Sequence, residues 1–70
     1  MKIYLNGKNT DVDCFTIQDL WNREQAEREL DSSRGFAIAR NGALVPKREW
    51  STTSINTNDK IEIVRAMSGG

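Results

Sequence analysis

Polar and apolar positions alternate through Lys2-Ile3-Tyr4-Leu5-Asn6, which predicts a strand with Ile3 and Leu5 on one face and Tyr4 on the other. Asn6-Gly7 supplies turn chemistry, and Asp11-Val12-Asp13-Cys14-Phe15 alternates again. The two runs predict an antiparallel hairpin that turns Val12 and Cys14 toward the same core as Ile3 and Leu5, with Phe15 closing the end of that core. From Thr16 the period changes. Thr16 can cap a helix while Asp19, three residues on, sits in its positive first turn, and Ile17, Leu20 and Trp21 form a buried stripe. Asn22 to Asp31 is mostly charged, with only Ala26 and Leu30 apolar, so the helix extends there as an exposed turn or two, ended at the latest by Ser32-Ser33-Arg34-Gly35.

Phe36-Ala37-Ile38-Ala39-Arg40 predicts a strand, Asn41-Gly42 a tight reversal, and Ala43-Leu44-Val45 a short partner strand stopped by Pro46, which has no N–H for a ladder bond. Trp50 falls in an irregular stretch. Asn56-Thr57-Asn58-Asp59 is a turn, with Asp59 a turn residue and not a general base. It leads into Ile61-Glu62-Ile63-Val64-Arg65, whose Ile61 and Ile63 complete the core. Strand, strand, helix, strand, short strand, strand is an α+β order in which one helix covers one sheet. The right-handed crossover rule brings the last strand back parallel to the first, between the hairpin and the middle strand. This is a β-grasp arrangement: a mixed sheet of four to five strands on one main helix, formed by residues 1–65, with 66–70 as a flexible C-terminal tail.

Composition narrows the functional classes. A chain of 70 residues buries only roughly 60% of the surface its unfolded form exposes, which limits it to one core. Hydrophobic residues at 37% and charged residues at 29% fit a folded soluble domain. No apolar run approaches the roughly 20 residues that cross a bilayer, and the first residues do not form a signal peptide; a cytoplasmic protein that engages no membrane is expected. With one cysteine and no histidine, neither a Cys/His metal centre nor a Ser/His or Cys/His dyad can be built, so the chemistry is expected to come from partners and no residue is expected to be a catalyst. Cys14, alternating with Val12, is expected to be a small buried hydrophobe. Trp21 and Trp50 are expected in the core or at its edge. Residues 11–31 hold seven acids and two arginines, whereas 32–70 hold six bases and three acids. The bases are scattered with few aromatics among them, which gives no nucleic-acid footprint.

Arg40-Asn41-Gly42 with Val45-Pro46 and Trp50, then Asn58-Asp59-Lys60-Ile61-Glu62-Ile63-Val64, then Gly69-Gly70 resemble the thiamin-biosynthesis sulfur carrier family, whose fold is the ubiquitin-like β-grasp. The resemblance covers nearly the whole chain, and the sequence departs from it in Asn22–Arg34, which is more charged than the usual helix and loop. The resemblance implies that the Gly70 carboxylate is modified, first by adenylation and then by conversion to a thiocarboxylate. Met67, Ser68 and Gly69 are then the tail that partners bind. It also implies the partners: a ubiquitin-activating-like adenylyltransferase that uses ATP and magnesium, a cysteine-derived persulfide sulfur donor, and thiazole synthase. The chain itself binds no cofactor and no metal. Glycine suits such a tail because it lacks a Cβ and permits backbone angles closed to other residues. Two alternatives stay open: the small sulfur-donor subunit of molybdopterin synthase, which shares the fold and terminal Gly-Gly, and a ubiquitin-like interaction module or protein tag.

Overall fold

Asn6 and Gly7 both take positive φ, 51° and 82°, the backbone of a two-residue turn whose twist suits a hairpin. In the computed structural model, which describes residues 1–65, this turn joins β1 (Lys2–Leu5) directly to β2 (Lys8–Asp11), with Leu5 opposite Lys8 and Lys2 opposite Asp11. The second strand is therefore Lys8-Asn9-Thr10-Asp11 and not the alternating run Asp11–Phe15. A two-residue turn closes the ladder at once, so the tightness of the reversal, not side-chain alternation, sets where pairing begins. Val12 and Cys14 still reach the core from the segment after β2, while Phe15, expected to close that core, is 72% exposed.

Helix α1 (Ile17–Glu27) opens on the predicted cap. The Thr16 hydroxyl accepts from the Asp19 backbone N–H at 3.1 Å, and the Asp19 carboxylate accepts in return from the Thr16 N–H at 3.1 Å. Ile17, Leu20 and Trp21 are buried, as their spacing requires. Glu24 is buried too, contrary to the exposed turn expected of this stretch. Arg23 and Arg28 each hold it at 3.0 Å, and their long stems cover it while their guanidinium groups neutralise it.

After the helix come β3 (Phe36–Arg40), β4 (Ala43–Val45), a 3₁₀ turn at Lys47–Glu49, and β5 (Lys60–Arg65). The sheet order is β2-β1-β5-β3-β4: β5 lies parallel to β1 and antiparallel to β3, as the crossover argument anticipates. Ile38 sits opposite Ile63 on the helix-facing side. With Ile3, Leu5, Val45 and Ile61 these residues meet α1 in one core. Trp21 lies between Phe36 and Trp50, with ring centroids 5.1 and 5.7 Å away. Trp50 is buried in the irregular connection and donates its indole N–H to the Val45 carbonyl at 2.9 Å. The five-stranded mixed sheet under one helix is the β-grasp fold read from the sequence.

Candidate functional site

β5 is the central strand, held by β1 on one side and β3 on the other, and it leads directly to residues 66–70. Three groups of interactions fix it. At its start, Asp59 accepts from the Arg40 Nε at 2.8 Å, the Asn41 side-chain amide at 3.0 Å and the Asn56 backbone N–H at 2.8 Å. Burial alone raises the Asp59 pKa, but the hydrogen bonds from Asn56, Arg40 and Asn41 and the charge of Arg40 outweigh it, so the carboxyl lies below the ordinary aspartate value. Asp59 is the turn residue that its neighbours predicted, since the Asn56 carbonyl accepts from its N–H at 3.0 Å. It also ties the β3–β4 turn to the start of β5, a role that composition could not reveal.

In the middle of β5, Asn6 stands in for a missing strand residue. Its side-chain oxygen accepts from the Ile63 N–H at 2.8 Å and its amide donates to the Ile63 carbonyl at 3.3 Å. At the end of β5, the Arg65 guanidinium lies over the Phe36 ring, 5.6 Å from its centroid. β5 is thus held at its start, middle and end.

The sheet face turned away from α1 carries Tyr4, Leu44 and Val64, all exposed. Ala37 and Ala39 lie between them, opposite Val64 and Leu44 respectively. A hollow of about 290 Å³ opens on this side, lined by Tyr4, Gly7, Lys60, Ile61 and Glu62. A second, of about 320 Å³, flanks the exit of β5 between Leu30, Phe36, Arg34 and Arg65, with Glu29, Asp31 and Ser32 at its rim.

Among the described residues no group of three or more Cys, Asp or Glu side chains is placed to hold a metal ion, and no helix is long and apolar enough to cross a membrane. Cys14 is a free thiol in the core. Burial pushes its pKa up, which leaves it mostly protonated and a poor nucleophile at neutral pH.

The model of the ThiS family matches residues 3–70. The chain belongs to the ThiS family. A thiazole synthase of Paramagnetospirillum magneticum is 34% identical over 71 residues, a match that takes in 100% of this chain and 20% of that protein. The chain thus spans a minor part of the length of that relative. The crystal structure of a thiamine biosynthesis protein, ThiS, from Geobacter metallireducens superimposes with a TM-score of 0.78 at 20% identity, over 100% of both chains. At that identity the likeness speaks for the fold. The residues expected to do the work of a ThiS family member here, Met67, Ser68, Gly69 and Gly70, lie outside the described residues. What the structure describes is the folded domain whose central strand, β5, precedes them in the chain. Its least legible part was Asn6, which reads as turn chemistry in sequence and proves to hold the strand leading to the tail.

Proposed function

We propose that this chain is a sulfur carrier of thiamin biosynthesis whose working group is the Gly70 carboxylate. A carboxylate is resonance-stabilised and its oxygen leaves poorly. An adenylyltransferase resembling ubiquitin-activating enzymes therefore joins it to AMP, consuming ATP with magnesium and releasing pyrophosphate. The acyl adenylate is an electrophile. The terminal sulfur of a cysteine-derived persulfide attacks its carbon and expels AMP, and a thiol then cleaves the sulfur–sulfur bond to leave a C-terminal thiocarboxylate and a disulfide. Thiazole synthase takes the sulfur for the thiazole ring. In this reading the chain is a substrate and carrier, and its folded part offers binding surface and direction, not catalysis.

The observation that carries the reading is the ThiS family match, which runs from Ile3 through Gly69 and Gly70. The Paramagnetospirillum magneticum relative favours thiazole synthase over molybdopterin synthase as the acceptor, since a protein of that name contains a segment matching this chain throughout. Whole-protein mass spectrometry of the chain isolated from its native source tests the reading. Replacement of one C-terminal oxygen by sulfur is the expected finding, whereas isopeptide adducts on other proteins would support the tag reading in its place.

A further inference from the structure

Asparagine is followed by glycine at Asn6-Gly7 and again at Asn41-Gly42. A glycine in that place has no side chain to screen its backbone nitrogen, which can then reach the asparagine side-chain carbonyl. The two sites form a matched pair. Each is the turn of a tight hairpin with nearly the same backbone, φ 51° and 82° at the first and 52° and 85° at the second. All four residues are exposed, and neither glycine N–H has a hydrogen-bond partner among the described residues. What differs is the anchoring of the asparagine side chain. Asn41 accepts from the Lys60 N–H at 2.8 Å and donates at 3.0 Å to the buried Asp59 carboxylate, a bond strengthened by charge. Asn6 accepts from the Ile63 N–H at 2.8 Å, but its amide reaches only a neutral carbonyl, that of Ile63, at 3.3 Å. Moving the Asn41 side chain also takes a donor from a buried charge, whereas moving that of Asn6 gives up a long bond between neutral groups.

We propose that Asn6 is a site of modification by deamidation, converted ahead of Asn41, and that its conversion undoes the clip on the middle of β5. The inference does not depend on the sulfur-carrier reading. The Gly7 backbone nitrogen gives its proton to water and bonds to the Asn6 side-chain carbonyl carbon. The bond from that carbon to Nδ2 breaks, and Nδ2 takes up a proton and leaves as ammonia. A cyclic imide joining the two residues remains. Water then opens the imide at either of its carbonyls, giving aspartate in one case and isoaspartate, with the main chain rerouted through the former side chain, in the other. Oxygen has replaced NH in both products, and nothing is oxidised or reduced. Each product carries a carboxylate, which has no N–H to give the Ile63 carbonyl and repels it. Isoaspartate also adds a methylene to the main chain of the turn that sets Leu5 opposite Lys8.

Timed incubation of the full chain in neutral buffer, followed by digestion and mass spectrometry, reads the two sites separately. Asn6 is converted about tenfold faster than Asn41, the ratio set by the difference between a neutral and a charge-assisted hydrogen bond. In denaturant the two rates approach each other, because unfolding removes both sets of bonds. Asp59→Asn takes the charge from the Asn41 bond and brings the Asn41 rate toward that of Asn6, whose own rate in the same sample controls for general loosening of the fold. Asn41 converted as fast as Asn6 in the folded chain, or an Asn41 rate that Asp59→Asn does not move, overturns the assignment. So does a ratio that persists in denaturant, because the neighbouring residues and not the fold would then set it. For the consequence, converted and unconverted chains are separated by charge and exchange of the Ile63 amide is compared. It is faster in the converted chain; equal rates overturn the claim that the clip is undone. If Asp59→Asn does not fold, the folded and denatured rates of the unmodified chain decide.

Discussion

Asp59 shows how a single side chain can serve the strand that leads to the tail. It is buried, receives three hydrogen bonds, and holds its proton less tightly than an ordinary aspartate. A depressed folded pKa means that the contribution is fully present above the unfolded value, near pH 4, and is lost as pH falls through the folded value. Asp59→Asn should therefore show a smaller loss of melting temperature than the wild type between about pH 5 and about pH 2. At neutral pH Asp59→Ala should cost about 1–3 kcal/mol, because the Arg40 guanidinium it leaves is partly open to water. Chemical denaturation measures that cost, and a variant as stable as the wild type would show that the network contributes nothing net. Cys14 gives the opposite expectation. Its thiol is buried and unreactive, so Cys14→Ala should cost about 1 kcal/mol and leave thiocarboxylate formation nearly intact. A variant that folds and is adenylated normally yet accepts no sulfur would show that the thiol takes part.

The elements differ in how openly the sequence declares them. The start of α1 was legible because its signal is local: Thr16 and Asp19 satisfy each other's backbone groups whatever the rest of the chain does. Thr16→Ala should accordingly cost about 1 kcal/mol, read as a lower thermal midpoint with an unchanged far-ultraviolet spectrum. The first hairpin is legible in its turn but not in its second strand. Lys8-Asn9-Thr10-Asp11 carries no apolar alternation because it lies at the sheet's edge, with Thr10 alone partly covered. Burial of Glu24 was hidden for a different reason. A charge inside a charged run looks solvated until Arg23 on the same helix and Arg28 at its C-terminal cap fold over it. In β5 the alternation was plain, and Ile63, opposite Ile38 under the helix, should not tolerate a charge. Ile63→Asp places an unpaired carboxylate in a small core and should abolish the cooperative melting transition. A native-like melt would place Ile63 on the outer face.

For the molecule as a whole, the architecture was legible because few topologies are open to five short strands and one helix, and the handedness rule leaves the final strand beside the first. The end proposed to carry the sulfur was legible only through the family pattern, since the ThiS family match includes Gly69-Gly70 whereas a pair of glycines carries no physical signal of its own. What no sequence pattern disclosed is how Asp59, Asn6 and Arg65 hold the one central strand that precedes residues 66–70 in the chain. The proposed function places the carried sulfur on Gly70. Reacting groups must come within about 3–3.5 Å, and one residue of extended chain spans roughly 3.3–3.6 Å, so removing Gly70 withdraws the acyl carbon from the site of attack. The decisive measurement supplies the full chain and its Gly70 deletion with the adenylating enzyme, ATP, magnesium and the persulfide donor, and weighs the products. The full chain should exchange one oxygen for sulfur while the deletion, with an unchanged circular dichroism spectrum, stays at its starting mass. Thiolation of the deletion at the full rate would contradict a sulfur carried on Gly70.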